Sequence, residues 1–77
     1  MDDTVLRLWD EVLTMGQSLL DAQTAETKLR TLYRATRTDE LMDQWNVALA
    51  DVERLAEEYE AAILRFRQAS RSSSKFD

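Results

Sequence analysis

Glu53, Glu57 and Glu60 recur at intervals of four and three, which would set three carboxylates on one face of a helix. Such a trio could hold a divalent cation through its oxygens. A water-exposed helix face uses the same pattern simply to stay solvated, and Arg54 and Arg65 nearby suit that role. The other residues that catalysis draws on are missing, since the 77 residues include no His, no Cys and a single Gly. That composition offers no imidazole or thiolate ligand, no nucleophile relay and no glycine-rich phosphate loop. The chain reads as non-enzymatic, with no metal and no cofactor expected.

Two charged groups could recognise a macromolecule. Lys28, Arg30, Arg34 and Arg37 fall together, and the three arginines project from one side of the last turns of a helix, where they could touch phosphates. The end of a helix attracts bases for a simpler reason, because unpaired backbone carbonyls gather there. With a net charge of −5 and only Tyr33 as a flanking aromatic platform, nucleic acid is an unfavoured partner. The acidic stretch from Asp39 to Glu60 suggests the converse: it could imitate a nucleic-acid backbone and block a basic groove, as small phage-encoded inhibitors do. Glu53, Glu57 and Glu60 would be the working residues of that alternative.

The elements that carry these groups are helices. Hydrophobic residues make up 44% and charged residues 32%, Pro is absent, and the lone Gly16 leaves almost nothing from which to build β-turns. From Met42 onward, apolar residues step by threes and fours through Trp45, Leu49, Val52, Ala56, Tyr59, Ile63 and Phe66. The same rule from Val5 gives Leu8, Val12, Met15, Leu19, Ala22, Glu26, Leu29 and Tyr33, with Glu26 the single polar member. Folded antiparallel, the two rows meet in pairs whose residue numbers sum to 71, among them Val5 with Phe66, Val12 with Tyr59, and Glu26 with Trp45. The Trp45 indole N–H is a donor that the Glu26 carboxylate can accept.

Charge locates the reversal independently. Acids dominate residues 1 to 26, bases fill residues 27 to 38, and the acid-to-base gradient then restarts at Asp39. One continuous helix has no reason to reset its gradient halfway. The expected architecture is all-α: an antiparallel, coiled-coil-like two-helix hairpin forming one domain over residues 1–69. Helix 4–34, turn 35–38 and helix 39–69 make up that domain, with Thr36 or Thr38 as the second N-cap. Residues 70–77, ending in SRSSSKFD, have lost the apolar period and are expected to be a flexible tail. A three-helix bundle, with a break at residues 23 to 28, is the alternative.

A hairpin of this length has a thin core, so further helices are expected to complete a bundle, either by dimerisation or with a partner protein. Leu6, Trp9, Leu13, Gly16 and Leu20 form a second apolar row on the first helix and are the candidate partner-binding residues. Gly16 in that row suggests close approach by another backbone. A weaker companion row on the second helix comprises Leu41, Ala48, Leu55 and Ala62. In size and layout, over residues 4 to 69, the chain is similar to two kinds of small bacterial helical hairpin. One is the co-chaperones of type III secretion needle subunits, and the other the dimeric four-helix proteins that bind plasmid RNA. The likeness is one of shape and period, and no functional residue is carried over from it.

The expected function is that of a non-catalytic interaction module, a small chaperone, adaptor or assembly factor that covers an apolar helical segment of its partner. A cytoplasmic location is expected. The opening MDDTVLRLWDEV carries acids where a signal peptide carries bases, no cysteine calls for an oxidising compartment, and no apolar run approaches the roughly 20 residues of a membrane span.

Overall fold

The computed structural model describes residues 3 to 74 and consists there of two α-helices, α1 (Asp3–Ala35) and α2 (Asp39–Ser74), packed side by side as an antiparallel hairpin. The molecule measures 59 × 14 × 13 Å, and its radius of gyration of 17.4 Å far exceeds the about 11.5 Å of a compact chain this long. It is a rod two helices thick.

α1 runs without a break through residues 23 to 28, which rules out the three-helix alternative. Thr24 and Thr31 are accommodated because each hydroxyl donates to the carbonyl four residues back, at Leu20 and Thr27 respectively, both at 3.0 Å. The turn occupies Thr36 to Thr38 and needs no glycine, since no described residue adopts a left-handed backbone. Thr36 N–H closes α1 on the Leu32 carbonyl at 2.9 Å. Thr38 is the N-cap of α2, its hydroxyl oxygen accepting from Leu41 N–H at 3.2 Å. Asp39 and Glu40 fill the first turn of α2, and Arg34 and Arg71 stand in the last turns of the two helices, each matching the helix dipole. α2 extends to Ser74, past its expected end at residue 69. Ser and Arg continue a helix already in progress as readily as they fray, so losing the apolar period does not stop it. The remainder of the expected tail, residues 75 to 77, lies outside the described residues.

The α1 seam is the expected one: Val5, Leu8, Val12, Met15, Leu19, Ala22, Glu26, Leu29 and Tyr33 are all buried or half-buried. On α2 the seam differs. Residues 41, 45, 48, 52, 55, 59, 62, 66 and 69 are all covered, and the two deepest are Ala48, 9% exposed, and Ala62, 1% exposed. Leu49, assigned to the seam by the sequence pattern, is 37% exposed. The row of Leu41, Ala48, Leu55 and Ala62 thus belongs in the core together with Trp45, Val52, Tyr59 and Phe66, while Met42, Leu49, Ala56 and Ile63 flank it.

The expected pairing holds at one place and slips at two others. Trp45 reaches Glu26, a pair whose numbers sum to the expected 71, whereas Trp9 packs on Phe66 with tilted rings 5.1 Å apart and Gly16 lies against Tyr59, pairs that sum to 75. A three-residue turn centred on Arg37 sets Ala35 and Asp39 level with each other, a sum of 74, which lies between these values. Small alanines occupy the deepest positions because they let the helix axes approach, and the larger apolar residues lie to their side.

Candidate functional site

Successive residues on a helix turn by about 100°, so positions two apart fall on nearly opposite sides. This separates the two long edges of the hairpin. On one edge Glu11 and Arg65 form an ion pair across the helices, and the same edge carries Ser18 and Glu58 at seven-residue spacing. Leu32, Val47 and Leu64 are exposed singly elsewhere, but the other edge carries a continuous apolar row. There Leu6, Trp9, Leu13 and Leu20 are 49%, 44%, 53% and 57% exposed, although each is large and hydrophobic. All five candidate binding residues lie along this edge, four about half exposed and Gly16 more covered.

Between α1 and α2 the apolar edge opens into a groove of about 660 Å³. Trp9, Leu13 and Leu20 form one wall, and Tyr59, Ile63 and Phe66 the other, with Arg67 and Gln17 at the rim. Of this α2 wall, Tyr59 and Phe66 are seam residues whose rings also border the groove, and only Ile63, which the spacing places in the seam, flanks it. The signal that could have revealed it is the surplus of apolar rows on α2: two rows one residue apart cannot both face α1, so one must turn outward. Met42, Leu49 and Ala56 continue the row of Ile63 toward the turn.

Gly16 requires a correction. A Cβ built on it would lie 3.2 Å from Tyr59 Cε2, so the space left by the missing side chain is filled by a ring of the same chain and not by a partner's backbone. Gly16 shapes the floor of the groove by letting Tyr59 lie low.

Glu26 behaves as its spacing implies. Trp45 Nε1 donates to Glu26 Oε1 at 3.0 Å in a part-buried contact, with Arg30 Nε 4.0 Å from the same oxygen and the Tyr33 ring 5.6 Å from the indole. The carboxylate thereby closes the turn end of the seam, where it offers no open site.

Glu53, Glu57 and Glu60 are exposed, and none forms an ion pair among the described residues. Among the described residues, no group of three or more His, Cys, Asp or Glu is gathered closely enough to hold a metal ion. Of the basic group, Arg30 is half-covered through its contact with Glu26, and Lys28, Arg34 and Arg37 extend into water around the end of α1. No helix of the described residues is long and apolar enough to cross a membrane.

Comparison with protein-family models, with curated proteins and with solved structures finds no match to this chain. The functional reading therefore rests on the geometry of the hairpin itself.

Proposed function

We propose that the protein is a non-catalytic interaction module whose working surface is the apolar edge built on Leu6, Trp9, Leu13, Gly16 and Leu20 of α1 and on Tyr59, Ile63 and Phe66 of α2. The observation that carries this reading is the exposure of four large apolar side chains in one row beside an open groove. A contiguous patch of this kind is costly in water unless something covers it. Amphipathic helices meet apolar grooves through side chains at spacings of three and four, which is the spacing of this row. A small chaperone, adaptor or assembly factor acts this way, completing a helical bundle with a segment that would otherwise be exposed. Cytoplasmic action suits a chain without cysteines.

Trp9→Glu combined with Leu13→Glu tests the assignment. Both side chains are about half exposed, and Trp9 also packs on Phe66, so the double variant should keep most of its helical circular dichroism while losing association with any partner. Association at unchanged affinity would show that another surface is used.

One observation favours a second reading, a small acidic inhibitor of a basic nucleic-acid-binding surface. Glu53, Glu57 and Glu60 are exposed and form no ion pair among the described residues, leaving their charge available to a basic partner. Under that reading Glu53→Gln/Glu57→Gln/Glu60→Gln abolishes binding and Trp9→Glu/Leu13→Glu does not.

A further inference from the structure

We propose that the occupant of the apolar edge is a second copy of this chain, related by a two-fold axis parallel to the rod so that both turns lie at the same end of a four-helix bundle. The proposal rests on the interaction-module reading and names its first partner. Two observations support it, one of area and one of charge.

The hairpin exposes 5992 Å². A compact protein of 9.0 kDa exposes about 4,900 Å², so roughly 1,100 Å² per chain is surplus. A specific interface takes about 800 Å² from each partner. The surplus belongs to the rod as a whole, and one more hairpin laid lengthwise on the apolar edge has the length to cover a comparable area, whereas a short peptide in the groove would leave Leu49 exposed.

Charge selects the orientation. With both turns at one end, α1 of each copy lies antiparallel to α2 of the other, at the height it already shares with its own α2. Arg67, at the rim of the groove, then meets the end of α1 that bears Asp10. At the turn end, Arg34 meets the start of α2, which bears Asp39. All four of these side chains are exposed and make no ion pair among the described residues. The two-fold axis makes each encounter twice. The opposite arrangement, with turns at opposite ends and the rods fully overlapped, lays α2 against α2 and sets the stretch around Glu53, Glu57 and Glu60 against its own copy, which repels. A client helix would compete with the second copy for Trp9 and Leu13, so its apparent affinity should fall as protein concentration rises.

Sedimentation equilibrium of the full chain at micromolar concentration, with charge variants, tests the proposal. The wild type should sediment at twice 9.0 kDa. Arg67→Asp alone and Asp10→Arg alone should each weaken the dimer roughly tenfold, and the two combined should restore it. A wild-type mass of 9.0 kDa throughout the range overturns the proposal. So does a dimer on which the single reversals have no effect, or one that the double reversal does not rescue. A monomer that still binds another protein through Trp9 and Leu13 removes the second copy and leaves the interaction-module reading intact. A dimer insensitive to Trp9→Glu/Leu13→Glu removes both.

Discussion

Across the hairpin, the Trp45 indole N–H reaches Glu26 Oε1 at 3.0 Å, joining the charged residue of the α1 seam to an indole donor in the seam of α2. A hydrogen bond to a charged group in a part-buried place contributes about 1 to 2 kcal/mol. Glu26→Ala and Trp45→Phe should each destabilise the fold, and their double-mutant cycle should show a coupling of about 1 kcal/mol in urea unfolding. A coupling near zero would mean that the contact contributes nothing to holding the hairpin closed.

Two threonines stand in the turn, and only one of them caps. Thr38→Ala removes the acceptor for Leu41 N–H and should cost about 1 kcal/mol. Thr36→Ala should change stability by less than about 0.5 kcal/mol, as exposed positions do. Equal losses at the two sites, measured by thermal unfolding, would contradict the observed cap.

Gly16 supports a prediction whose sign depends on Tyr59. Alanine favours a helix interior by about 1 kcal/mol over glycine. Its methyl would press on the Tyr59 ring at 3.2 Å, but that ring borders open groove and can yield by a few tenths of an ångström. Gly16→Ala should therefore raise the melting temperature slightly. Gly16→Val should lower it, because a branched side chain must push the ring off its seat.

The register has its own test. Ala62 is 1% exposed, so Ala62→Leu overpacks the seam and should cost about 1 to 3 kcal/mol. Ala61→Leu, beside it but on the flank, should cost much less. If the row through Ile63 were the deep one, Ala62→Leu would be tolerated.

Much of this architecture was legible in the residues. The reset of the charge gradient at Asp39 located the reversal, because the helix dipole imposes a polarity that a turn must interrupt. Glu26 and Trp45 found each other because a carboxylate in an apolar row needs a donor. The register was less legible: Leu41, Ala48, Leu55 and Ala62 stand one residue from Met42, Leu49, Ala56 and Ile63, so both rows fit a helical period and only packing distinguishes them. Size suggested the second row, but close approach of two helices favours the small residues of the first. The exposed row on α1 is legible from its spacing, whereas the spacing does not show that Tyr59 and Phe66 of the seam also border a groove or that Ile63 flanks it. Gly16 was ambiguous for a related reason, since a missing side chain records close approach without saying whose atoms approach.

The central claim is that two open edges close on each other with their turns together, and one spin label per chain at Arg37 tests it most directly. Arg37 is exposed in the turn, where a label disturbs neither helix. Helix spacings of 8 to 10 Å plus the reach of two labels predict a pulsed-dipolar separation of roughly 20 to 30 Å. A separation near the full 59 Å of the rod, or no dipolar coupling at micromolar concentration, would contradict it.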